Sequence, residues 1–165
     1  MQNDDYTRTE LGTFPKAGGD SDTATLNTLI GTVIDSVTGY QKAALDTDNR
    51  QYAEMFNARA QERQAAITKL QAAVARLGGD PTSDGTTAGA VHRGWIDLKE
   101  AVVGRNDEAI VNSVESGEDY LKEKFETALS SKDLPAEAQA AVQEAWQSVK
   151  AGHDQMSQLK HALNG

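Results

Sequence analysis

The sequence predicts an all-α fold, an antiparallel four-helix bundle with a short helix in the crossover between the second and third helices. Three observations predict it. Alanine, glutamine, glutamate and leucine dominate the composition, and the only prolines, Pro15, Pro81 and Pro135, fall between helical patterns. Four long stretches repeat apolar residues at the three-, four- and seven-residue spacing of one helix face. No stretch alternates apolar and polar residues with the period of a strand.

The 165 residues suit one domain. Residues 1–23 are polar, carry glycine and show no sustained period, so they are expected to form a disordered tail ahead of a bundle domain at 24–165. Asp22 or Thr23 can cap the first helix. Leu26, Leu29, Ile30, Val33, Val37, Tyr40 and Ala44 then share one stripe. Thr47, Asp48 and Asn49 make a short turn, which sends the second helix back along the first. That helix carries Tyr52, Phe56, Ala66, Ile67, Leu70, Val74 and Leu77 on its stripe and stops at Gly78-Gly79, before Asp80-Pro81.

The next segment, Gly78 to Arg105, is long for a bundle connection. Val91, Trp95, Leu98 and Val102 share a face within it, which predicts a short crossover helix anchored by Trp95. His92, Arg93 and Trp95 cluster there, with a packing role expected rather than a catalytic one. Asn106 or Asp107 caps the third helix, which runs to about Ser130. Pro135 opens the fourth, with Ala138, Val142, Ala145, Trp146, Val149, Met156 and Leu163 on one face. The expected core contains Leu29, Val33, Phe56, Ile67, Leu70, Val114, Leu121, Phe125, Trp146 and Val149.

Polar residues interrupt these apolar faces. Arg63, Glu118 and His153 all fall where a core side chain belongs. Arg63 lies about 14 and Glu118 about 12 residues into its helix, roughly 20 Å from each helix start. Both are therefore near mid-bundle, with His153 somewhat past the middle of its own helix. A buried carboxylate must be paired, protonated or bound to a metal. In the first reading Arg63, Glu118 and His153 form an interior polar network, in which Arg63 pairs with Glu118 or also with Glu115. In the second, Glu62, Glu115, Glu118 and His153 are metal ligands. Oxygen-rich sets with an imidazole suit iron or manganese. Di-metal carboxylate bundles use a Glu from each of two helices and a Glu-x-x-His from the other two. Here neither Glu-x-x-His is intact, and the first helix offers Val33, Val37 and Tyr40 inward while Asp35 points away. The network is the expected state, with no cofactor and no catalytic residue, and iron or manganese is the alternative.

The formal net charge is −9, and such a surface repels nucleic acid and anionic membranes. No apolar run reaches the roughly 20 residues needed to cross a bilayer. The absence of cysteine excludes disulfides and thiolate chemistry. With no secretory layout at the N-terminus, a cytoplasmic location is expected.

LGGDP, then HRGWIDLK, ESGED, DLP and HDQ, occur in this order between about Thr25 and Leu163. The set resembles a bacterial family of ferritin-like four-helix-bundle proteins, a domain of unknown function. The resemblance implies a ferritin-like plan and a link to bacterial stress-induced proteins, with no established activity. It further implies a carboxylate on the inner face of the first helix, where this chain has Val37. Three functions follow as expectations. The first is a non-enzymatic, stress-associated bundle acting through self-association or a protein partner. The second is a degenerate ferritin-like iron- or manganese-binding protein or oxidase. The third is a small-molecule binder between the helices.

Overall fold

The computed structural model describes residues 2–86, 106–131 and 133–164, with side chains from residue 21 onward. Four helices, α1 (Gln2–Asp46), α2 (Arg50–Arg76), α3 (Asp107–Ser130) and α4 (Ala136–Asn164), form a helical bundle, and the described residues contain no strand. The expected crossover helix, with His92, Arg93 and Trp95, lies outside the described residues. So does most of the expected tail at the level of side chains. Ser21, Asp22 and Thr23 are helical. The cap expected at Asp22 or Thr23 is therefore replaced by continuous helix, in which the Thr25 hydroxyl donates back to the Ser21 carbonyl at 3.2 Å.

Local chemistry accounts for the other helix ends. Asn49 caps α2, its side-chain oxygen accepting from the Tyr52 N–H at 3.1 Å, and Asn106 caps α3 in the same way through the Glu108 and Ala109 N–H groups. Asp107 and Glu108 place negative charge in the first turn of α3, where the helix dipole favours it. At the end of α2, Gly78 has φ of 85°, a conformation L side chains rarely adopt. This lets the Gly78 N–H reach the Ala75 carbonyl and the Gly79 N–H reach the Val74 carbonyl, closing the helix.

The chain leaving α2 lies against α1. Asn27 donates to the Asp80 carbonyl at 3.0 Å and accepts from the Thr82 N–H at 2.9 Å. Farther along α1, the half-buried Asp35 accepts from the hydroxyl and the N–H of Thr86. Asp35 thus points away from the core, as helical spacing requires, and serves the connection instead. Burial raises its pKa, against the hydrogen bonds from Thr86, which lower it.

Apolar faces of all four helices close one core. Leu29, Val33, Phe56, Ile67, Leu70, Val114, Leu121, Phe125 and Val149 are all buried in it. Trp146 is only partly buried, stacked on Phe125 with ring centroids 6.4 Å apart. An indole is too large to be covered fully at a helix edge and keeps one side in solvent. Tyr40 and Phe56 join α1 to α2 at 6.0 Å, and Thr47 donates to Asp107 across α1 and α3 at 2.6 Å. Arg59–Gln155, Lys69–Glu144 and Arg76–Glu137 join α2 to α4, and Glu115–Lys160, Asp119–His153 and Phe125–Trp146 join α3 to α4. No described helix is long and apolar enough to cross a membrane.

Candidate functional site

Arg63 and Glu118 meet at the centre of the bundle, and both side chains are fully buried. The pair is bidentate: Arg63 Nη1 donates to Glu118 Oε1 at 2.9 Å and Nη2 to Oε2 at 2.6 Å. Parallel N–H···O bonds between planar groups are the strongest form of this contact. The remaining donors are also engaged. Nη1 reaches the Ser36 hydroxyl at 3.0 Å, Nε the Ser148 hydroxyl at 3.2 Å, and Nη2 the Ser148 carbonyl at 3.4 Å. The guanidinium lies 5.6 Å from the centroid of the Tyr40 ring.

Each of the four described helices therefore contributes to this centre. Burial is the largest single influence on Arg63 and would lower its pKa, but the charge and hydrogen bond of Glu118, together with Tyr40 and Glu62, outweigh it and hold the pKa above its ordinary value. Tyr40 is shifted well above the ordinary tyrosine value, first by burial and then by the charge of the neighbouring Glu118 carboxylate. The hydroxyl thus stays protonated beside the pair.

Gly152 on α4 makes the room. A Cβ at this position would fall within contact distance of Arg63 Nη2, Glu118 Oε2 and Arg59 Cδ. The polar interior is thus packed by fixed side chains up to the backbone of α4.

Ser148 carries the network outward. While accepting from Arg63 it donates to Glu62 Oε1 at 2.5 Å, and Arg59 Nη1 donates to the same oxygen at 2.6 Å. Arg59 also reaches Gln155 at 2.7 Å. Burial acts to raise the Glu62 pKa, yet the bonds from Ser148 and Arg59 and the charges of Arg59 and Arg63 prevail and lower it. Glu62 is thus held by cations and a hydroxyl at the exposed end of the network.

His153 does not join Arg63 and Glu118. Its Nε2 lies 2.6 Å from Asp119 Oδ1, and its Nδ1 lies 3.5 Å from Asp154 Oδ1. Glu115, one turn before Asp119 on α3, is buried and receives Lys160 Nζ at 3.3 Å. Of the four residues considered as metal ligands, the structure brings Glu115 and His153 together and adds Asp119. Glu118 is bound to Arg63, and Glu62 to Arg59 and Ser148. Asp119 is the residue missed by reading apolar stripes, because it lies outside them. Its one usable signal is the four-residue offset from Glu115. Ser36, Ser148 and Gly152 were missed because small side chains suit a helix interface with or without a buried charge.

Residues 22–131, more than half of the chain, match the family described as Domain of unknown function (DUF2383). The chain belongs to this family. The DUF2383 match contains Ser36, Tyr40, Arg63, Glu115, Glu118 and Asp119, while Ser148, Gly152 and His153 on α4 follow it. No curated relative matches the chain.

Proposed function

We propose that this protein is a non-enzymatic, stress-associated bacterial bundle that acts through self-association or a protein partner. Its ferritin-like plan would have α1 and α2 antiparallel, α3 and α4 antiparallel, and a helical crossover between. The order of the inter-helix pairs supports that plan. Tyr40–Phe56 is followed by Ser36–Arg63 and Asn27–Asp80, and Glu115–Lys160 by Asp119–His153 and Phe125–Trp146. The stress association rests on the sequence resemblance alone.

One observation carries the non-enzymatic reading. Where a carboxylate bundle would gather metal ligands from all its helices, this one holds a closed Arg63–Glu118 pair. Arg63 occupies both oxygens of Glu118 and competes with any cation for them. The interior also supports a binding cavity poorly, since the Arg63–Glu118 pair and Gly152 fill it. The space between α2 and α4 is an open groove of about 270 Å³ lined by residues such as Glu62, Lys69, Glu144 and Ser148.

Two measurements test the proposal. Ferrous iron oxidation by the purified protein is expected not to exceed the buffer rate, and catalytic oxidation would overturn the non-enzymatic reading. Sedimentation over a range of concentrations is expected to show self-association or, with a co-purifying partner, a defined complex. A monomer at every concentration, with no partner bound, would contradict the mode of action.

A further inference from the structure

Beyond that reading, we propose that Glu115, Asp119 and His153 form a binding site for one divalent transition-metal ion at the α3–α4 seam, separate from the Arg63–Glu118 centre. Glu115 and Asp119 are four residues apart on α3, which places both carboxylates on one helix face. His153 comes from α4 at the same level. One ligand atom from each residue lies within 4.8 Å of the other two. A four-coordinate ion with bonds near 2.1 Å needs its ligand atoms roughly 3.4 Å apart. Small side-chain rotations supply this, widening the 2.6 Å gap between His153 Nε2 and Asp119 Oδ1 and drawing the carboxylate of Glu115 inward.

The surroundings fit such an ion. Two carboxylate oxygens and one imidazole nitrogen suit manganese, ferrous iron or zinc. Asp154 faces His153 Nδ1 at 3.5 Å, the position from which a carboxylate orients an imidazole so that Nε2 can bind metal. Glu115 is buried, whereas Asp119 is exposed, so one side of the site opens to solvent and to further water ligands. The net charge of −9 favours a cation at any exposed site. One feature opposes it: Lys160 Nζ sits 3.3 Å from Glu115 Oε1. Lys160 is partly exposed on a flexible stem and can swing into water, so it acts as a competitor that the ion displaces. The site draws on two helices at the rim and uses neither Glu62 nor Glu118.

The test uses untagged full-length protein, stripped with chelator and titrated with Mn²⁺, followed by the paramagnetic signal of the free ion, and with Zn²⁺ by calorimetry. The expected result is one ion per chain. Asp119→Asn and His153→Gln should each weaken binding by at least about tenfold, since even partners of ligands matter to that degree. Lys160→Met should tighten it severalfold by removing the competing cation. His161→Gln should leave binding unchanged. Circular dichroism of each variant establishes that it is folded. The proposal is overturned if the parent chain binds neither ion, or if Asp119→Asn and His153→Gln bind as the parent does. Loss of binding in His161→Gln alone would equally overturn it by placing the ion elsewhere.

Discussion

Glu118 and Glu115 sit within one turn of each other on α3, both buried, and they meet opposite fates. Glu118 faces α2 and finds a fixed guanidinium that fills both its oxygens, with Ser36, Ser148 and the Tyr40 ring completing the shell. Glu115 faces α4 and finds a lysine on a mobile stem, with Asp119 and His153 close by and solvent beyond. The same side chain on the same helix is a closed structural element in one case and a ligand of the proposed metal site in the other. The facing helix makes the difference. A planar, permanently charged arginine locks a carboxylate, whereas a lysine and an imidazole leave it exchangeable.

The sharpest way to break this contrast is Arg63→Met. It strands Glu118, fully buried, without its guanidinium partner, and a loss of about 3–5 kcal/mol is expected in urea unfolding. An unchanged unfolding midpoint would mean that the pair contributes nothing. Gly152→Ala should come next. The new methyl group collides with Arg63 Nη2 and Glu118 Oε2, both held by several bonds, and overpacking of this kind costs about 1–3 kcal/mol. Better helix propensity returns about 0.5–1 kcal/mol, so a net loss smaller than that of Arg63→Met is expected from thermal unfolding. Glu62→Gln should have the least effect, because Glu62 is exposed. Its folded pKa lies below the unfolded one, so its contribution is present above the ordinary glutamate range and fades as pH falls through the folded value. Parent and variant should therefore differ slightly near neutral pH and converge in acid; a gap that widens in acid would contradict the sign of the shift.

Much of this contrast is legible in the sequence, for definite physical reasons. Apolar spacing at 3.6 residues per turn marks the core faces, and nine of the ten expected core side chains are buried, with Trp146 stacked at the edge. A fixed rise per residue puts Arg63 and Glu118 at one level, where their ion pair lies. What spacing along one helix lacks is the rotation of each helix about its axis relative to its neighbours. His153 looks central by spacing, but a modest rotation of α4 carries it to the seam beside Asp119. Gly152 reads as an unremarkable small residue until the guanidinium is seen against it. The start of α1 differs from the expected cap for another reason: Asp22 and Thr23 are good caps, but a cap is optional when the chain before it is already helical.

The central claim is that Arg63 and Glu118 form one structural unit in the middle of the bundle. A double-mutant cycle on Arg63→Met and Glu118→Leu, read by urea unfolding, tests it most directly. Each single variant is predicted to lose stability, and the double variant to lose less than either, because no charge is left buried without its partner. Losses that simply add in the double variant would show that the two residues act independently and would contradict the account.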